Sequence, residues 1–327
     1  MCSYNGKLLE LKTEKENYSQ VHDLTNESLN DKHDFIMKQV FSVVFDEFTQ
    51  KHGDPPCKFV WFVTGSAGRK EQGIISDQDH GVIFENDDPI VQEYFLALGS
   101  VVSDGLNSVG YPYCEGNVMS SNSVWCKSSI GWKGQIEKWM ERENWESIRY
   151  LQIFYDSRGL IGNEEFVHEL RDLIHQYRHN YPSLLTRFLN NIMRIKKGVG
   201  IFGQFFVERT GAHRGSLHFK NTMYLPYVNS IRLLSIKEGI TATSTLERIA
   251  MLRKLEKYEG LMKEYDSCFR RILCIRMSSF KDAADYSDVH FLNINKLTKE
   301  ERMEVKYLLR KGIKLYQQVK RLIEKGC

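Results

Sequence analysis

Apolar positions along this chain follow two periods, and the switches between them locate its elements. From Asp31 to His52, Phe35, Ile36, Val40, Val43, Val44, Phe45 and Phe48 recur close to every 3.6 residues, which predicts an amphipathic helix that Gly53 and Pro55-Pro56 end. Lys58–Thr64 is a run of β-branched and aromatic residues and predicts a buried strand. A second strand is expected over Asp77–Phe84. Pro89–Val109 returns to the helical period, with Val91, Phe95, Leu98, Val102 and Leu106 on one face and Gly110 as its stop. Residues 111–130 have no period and are rich in Ser, Asn and Cys; a helix over 131–146 and a short strand over Tyr150–Tyr155 follow. Residues 1–20 are polar and expected to be poorly structured.

From Asn163 onward the pattern is almost wholly helical. Ser244-x-x-Glu247 and Thr298-x-x-Glu301 read as capping boxes at two helix starts. The last helix, Thr298 to Lys325, carries Val305, Leu308, Leu309, Ile313, Tyr316, Val319 and Leu322 as a stripe that closes a bundle or pairs with a second copy as a homodimer. The whole predicts an α+β protein: an N-terminal tail and helix (1–54), a mixed sheet with helices (55–162) and an all-α helical bundle (163–327).

Composition narrows the class. The chain has 327 residues, 42% hydrophobic and 27% charged, which fits folded domains rather than a disordered chain. No apolar run approaches the roughly 18 residues of a membrane span, and the first residues have no signal core, so a cytoplasmic protein is expected, without membrane partners. Seven cysteines show neither Cys-x-x-Cys nor zinc spacing, which favours reduced, buried thiols over a catalytic cysteine. The net charge of +3 is small, yet residues 187–281 carry eighteen Lys/Arg against seven Asp/Glu. That bias reads either as solvated helix faces or as a basic wall for an anionic ligand.

The chemistry concentrates at residues 65–79, Gly-Ser-Ala-Gly-Arg-Lys-Glu-Gln-Gly-Ile-Ile-Ser-Asp-Gln-Asp. A Gly65-Ser66 turn after a strand lets backbone amides and the Ser66 hydroxyl approach a phosphate, with Arg69 and Lys70 adding positive charge. Asp77 and Asp79 share one face of an extended strand, with Gln78 opposite. Two adjacent carboxylates repel unless a cation joins them, and magnesium or manganese suits such oxygen ligands. Glu115, Asn117, Ser121 and Asn122 either line a pocket or serve turn chemistry. Trp125, Trp132, Trp139 and Trp145 pack a helix or stack on a base, and packing is the commoner use.

Gly65-Ser66, Arg69, Glu71 and Ser76-Asp77-x-Asp79 resemble the signature of the DNA polymerase β-type nucleotidyltransferase superfamily. The fuller pattern, with Gly110–Met119, Phe154–Arg158 and the stretch from Phe219-Lys220 to Arg248, resembles a nucleotidyltransferase family often attached to CBS or cyclic-nucleotide-binding domains. That family is related to the uridylyltransferase of the PII protein and to the adenylyltransferase of glutamine synthetase. The resemblance implies a polymerase β-like catalytic domain before the helical one. It also implies transfer of a nucleoside monophosphate from a triphosphate such as ATP or UTP to an acceptor hydroxyl, on a protein by relationship, with nucleic acid a lesser alternative. Asp77 and Asp79 would be metal ligands and catalytic. Asp156, ending the expected strand before Arg158, would complete the triad unless it is only a strand-end ion pair. Gly65, Ser66, Arg69, Lys70 and Lys220 would contact phosphates, Lys220 by family position alone. The rival readings are a non-catalytic nucleotide-sensing module and an antibiotic-type enzyme acting on a small molecule.

Overall fold

A computed structural model describes residues 3–19, 24–142, 144–192, 196–281, 283 and 285–325. The chain divides into two units, Met1–Gln176 and Tyr177–Cys327.

The first unit is built on a four-stranded mixed sheet in the order β3-β2-β1-β4. β1 (Phe59–Val63) pairs antiparallel with β2 (His80–Phe84) on one side and with β4 (Arg158–Gly162) on the other; β3 (Cys126–Ser128) runs parallel to β2. Both faces of β1 are covered, which explains its unbroken apolar sequence. Trp61 and Val63 face a core shared with α2 (Asn26–His52) and α4 (Pro89–Ser108), among them Ile36, Val40, Phe41, Val44, Phe95 and Leu98. Phe62 faces the opposite layer, where α5 (Ser129–Glu141) and α6 (Trp145–Tyr155) bring Trp132 and Phe154 edge-on to its ring. Of the four neighbouring tryptophans, Trp125, Trp132 and Trp139 are buried against one another and Trp145 is exposed, so packing is their use here.

Helix starts follow local chemistry. Thr25 caps α2 in a reciprocal box with Ser28, Asp88 accepts from Ile90 at the start of α4, and Ser128 caps α5. A four-residue helix, α3 (Gly65–Gly68), follows β1 directly.

Three expectations are corrected. Residues 150–155 form the end of α6 rather than a strand. Asn144 caps that helix, and it buries Ile148, Leu151, Gln152 and Tyr155 along one face; a short, mostly apolar run fits either element until its partners are known. Residues 4–19, expected to lack structure, form α1 (Tyr4–Ser19). Its few apolar residues, Leu8 and Leu11, enter the core of α2 and α4, and Lys15 donates to the Gly110 carbonyl. The helix expected over 131–146 is two helices that break after Glu141, and the irregular 111–130 segment contains β3.

α7 (Glu165–Asn180) spans the division, and the second unit continues with α8 (Ser183–Ile192), α9 (Leu225–Glu238), α10 (Thr245–Arg253), α11 (Glu259–Ser279) and α12 (Lys299–Glu324). α9 is buried almost throughout, and α12 packs along it, with Tyr227 Oη donating to Leu308 O at 2.8 Å. The stripe on α12 therefore closes the helical unit. Thr298 forms the full capping box, whereas Ser244 forms its first half. A two-stranded ribbon, β5 (Ser216–His218) and β6 (Phe291–Asn293), lies among these helices. No helix of the described residues is long and apolar enough to cross a membrane.

If α1 is part of the core, Leu11→Ala should lower the unfolding free energy by about 2 kcal/mol, the lower end of the range for a buried leucine. Urea denaturation checks this; an unchanged midpoint would mean that α1 contributes no packing.

Candidate functional site

The site is set by how β1 leaves the sheet. Val63 pairs with His80, and the ladder continues one step beyond both strands, because Thr64 N donates to Asp79 O at 2.9 Å. Gly65, next in line, therefore sits against the Asp79 side chain. A Cβ on Gly65 would lie 2.1 Å from Asp79 Oδ2, and the residue has φ of +57°, so glycine is required twice over. Gly68 closes α3 just as tightly: a Cβ there would lie 2.0 Å from the Asp156 carbonyl oxygen. Like the first amides of any helix, those of Ser66 and Ala67 lie too early in α3 to take an intrahelical partner. Ser66 Oγ lies 3.3 Å from Ser76 Oγ.

The expected alternation holds along residues 76–80. Ser76, Gln78 and His80 are buried, while Asp77 and Asp79 are half-buried on the other side. The Asp77 and Asp79 carboxylates and Cys114 Sγ lie within 4.8 Å of one another. Burial, then the Asp79 charge and hydrogen bond, and then Asp77 push the Cys114 thiol well above its ordinary value. It stays protonated and donates to Asp79. The donor set is two hard carboxylates with the Cys114 thiol beside them, and the carboxylate pair fits magnesium or manganese.

Behind the carboxylates, a buried network holds the strand. Gln78 Nε2 donates to Ser103 O at 3.1 Å and to Tyr111 O at 2.9 Å, which leaves its Oε1 to accept from His80 Nε2 at 2.9 Å. His80 Nδ1 then accepts from Trp61 Nε1 at 3.1 Å and from Ser120 Oγ at 3.0 Å. Burial lowers the pKa of His80 to about 3, so the ring is neutral.

A second network holds the loop after α3. Arg69 is buried, with Nε on Glu71 Oε2 at 2.9 Å and Nη1 on Asp156 Oδ2 at 2.7 Å. From α2, Asn26 Nδ2 donates to Lys70 O, Asn30 Oδ1 accepts from Gln72 N, and His33 Nε2 donates to Gly73 O. Arg158 spans Ala67 O and Asp34 Oδ1.

The structure thus brings together Gly65, Ser66, Asp77 and Asp79. Asp156 caps α6 at its C-terminus, is fully buried and accepts from Arg69, and Cys114 Sγ lies beside the Asp77 and Asp79 carboxylates. The Arg69 guanidinium is held by Glu71 and Asp156. Lys70, half-exposed with φ of +55°, remains beside the turn. Lys220 belongs to the second unit, where it opens a π-helix, Lys220–Tyr224. Glu115 and Asn117 are exposed, and Asn117 O accepts from Asn122 Nδ2, which is turn chemistry. Sequence reasoning missed Cys114, His80 and the polar edge of α2. The signal for that edge was Asn26, Asn30 and His33–Asp34 recurring at helical spacing beside an apolar stripe.

A family model described as putative nucleotidyltransferase DUF294 matches residues 10–146. A second, described as putative nucleotidyltransferase substrate binding domain, matches residues 182–323. No curated protein matches the chain.

Two outcomes are expected. Gly65→Ala should displace the Asp79 carboxylate and weaken manganese binding at least tenfold, with far-UV circular dichroism unchanged; manganese titration by electron paramagnetic resonance checks it. His80 makes stability depend on pH. Its folded value, about 3, lies below the ordinary value of about 6.5, so the unfolded chain takes up the proton first. The contribution is whole above pH 6.5 and falls by about 1.4 kcal/mol per pH unit as pH drops toward 3. Urea midpoints between pH 7 and 4 should fall less steeply in His80→Gln than in the wild type.

Proposed function

Because the chain belongs to the putative nucleotidyltransferase family whose two models match within its two units, we propose that this transferase uses Asp77, Asp79 and the Gly65-Ser66 turn to move a nucleoside monophosphate from a triphosphate to an acceptor hydroxyl. The observation that carries the reading is the contact between the Asp79 carboxylate and Gly65. It sets the carboxylate pair and the glycine turn side by side, the arrangement that in-line displacement at phosphorus would use.

Asp77 and Asp79 would hold magnesium or manganese, which when bound neutralises charge on the phosphates and on the attacking oxygen. Ser66 Oγ and the open amides of α3 orient the triphosphate, and Lys70 adds a cation next to the turn. Attack by the acceptor oxygen on the α-phosphorus forms the new ester bond as the bond to pyrophosphate breaks. Arg69, Glu71 and Asp156 act as positioning residues that hold the loop between the turn and Asp77. The acceptor is proposed to be a protein hydroxyl, by the relationship to the uridylyl- and adenylyltransferases that modify proteins.

The test is a screen with labelled ATP and UTP, magnesium or manganese, and lysate protein as acceptor. Asp77→Asn and Asp79→Asn should each reduce labelling by a factor on the order of 10²–10³ or more and weaken metal–nucleotide binding. Asp156→Asn should instead lower the thermal midpoint, since breaking one partner of a buried pair costs about 3–5 kcal/mol. Magnesium-dependent nucleotide binding without transfer to any acceptor would favour the sensing module instead. Full labelling by both Asp variants would overturn the assignment.

A further inference from the structure

One hairpin of the second unit presents large apolar side chains to solvent. Gly200 N donates to Gln204 O at 2.8 Å and Gly203 N to Gly200 O at 3.0 Å, which closes a turn with Ile201 and Phe202 at its two central positions. Below the turn Val199 bridges Phe205 antiparallel, and Phe206 N donates to Gly198 O at 3.0 Å. The base is seated closely on its neighbours: a Cβ on Gly198 would lie 2.8 Å from Leu309 Cδ2 of α12 and 3.1 Å from Leu217 Cδ1 of β5. Gly203, with φ of +79°, turns the chain back. Ile201 and Phe202 are each 89% exposed, and Phe206 is 47% exposed.

The central positions of tight turns ordinarily hold Gly, Pro, Asn, Asp or Ser. Isoleucine and phenylalanine break that rule here and stay almost fully exposed, so packing within the unit does not repay the choice. Local rules broken without such a gain mark functional positions.

Cations flank the tip. A Cβ on Gly203 would lie 3.5 Å from Arg310 Nη2 and 3.9 Å from Lys306 Nζ, and both residues belong to α12. Lys306 Nζ also lies 5.1 Å from the centroid of the Phe205 ring. Neither Lys306 nor Arg310 forms a hydrogen bond or ion pair among the described residues. Lys196 and Lys197, both exposed, lead into the hairpin. Of the nearby acids, Glu304 is held by Arg271, and Glu208 lies past the bridge, where its amide donates to Ser216 O.

We propose that this hairpin is a membrane-surface anchor, in which Ile201 and Phe202 enter an anionic phospholipid layer while Lys196, Lys197, Lys306 and Arg310 meet its phosphate and carboxylate groups. An apolar tip ringed by cations matches both levels of such a surface, the acyl boundary and the charged headgroups. The tip is convex, so its partner must open around it. A headgroup layer does so without a shaped pocket, and it supplies the negative charge that the flanking cations lack. Peripheral attachment of this kind needs no spanning helix. It is independent of the transfer reaction.

The full-length protein is floated with vesicles of phosphatidylcholine alone, or with about one-third phosphatidylserine to supply an anionic surface. The wild type should bind the mixed vesicles at least tenfold more tightly than the neutral ones, and added salt should shrink the difference. Ile201→Ser combined with Phe202→Ser should weaken binding at least tenfold with an unchanged thermal midpoint, because both side chains are exposed. Lys306→Gln combined with Arg310→Gln should also weaken it at least tenfold, since each cation near such a surface contributes about fivefold. Phe202→Trp should add a blue-shifted emission, absent from the wild type, on the mixed vesicles alone. Failure of the wild type to bind the mixed vesicles would overturn the proposal. So would full binding by the Ile201 and Phe202 double variant, which would leave adsorption by charge only. A concentration-dependent dimer that this variant loses would assign the tip to a second copy of the chain and overturn it as well.

Discussion

The register of β1 on β2 is the constraint from which the first unit's site follows. A single backbone bond beyond the strands, Thr64 N to Asp79 O, decides that the turn and the second aspartate meet. One residue of slip would carry Asp77 and Asp79 to the face now held by Gln78 and His80, among Trp61, Ser103 and Ser120. The register is in turn fixed by burial on both faces, Trp61 toward α2 and Phe62 toward α5 and α6. Core packing and site geometry are therefore one arrangement.

Polar groups refine what packing sets. The backbone oxygens of residues 70 and 73 and the amide of residue 72 find partners on α2, while Arg69 joins the loop to the end of α6. Two elements distant in sequence thus hold one loop. The motif residues Arg69, Glu71 and Gly68 all serve this loop and its close approach to Asp156.

Much of this was legible in the sequence where period and side-chain chemistry agree. β1, α2, α4 and the shared face of Asp77 and Asp79 follow from alternation and from the 3.6-residue repeat. The failures have physical reasons. Tyr150–Tyr155 is apolar but for Gln152, and only its packing against α5 distinguishes helix from strand. α1 was unreadable because two leucines and a buried lysine stem, rather than a stripe, attach it to the core. Arg69 was ambiguous because a guanidinium suits a phosphate and a buried carboxylate equally well. Cys114 gave no signal at all, since its place beside the aspartates depends on how the 111–125 segment crosses the sheet edge.

The engagement of Arg69 by Glu71 and Asp156 has an electrostatic consequence for the order of events at the turn. With that guanidinium engaged by two carboxylates, the Asp79 carboxylate beside Gly65 and its neighbour Asp77 carry the nearest negative charge. A bare polyphosphate approaching them is repelled, and a divalent cation alone meets only two carboxylates. A triphosphate that arrives already chelated carries its compensating charge with it. Under the proposed transfer reaction, the first unit's loop would favour the metal–nucleotide complex as one species over either component by itself.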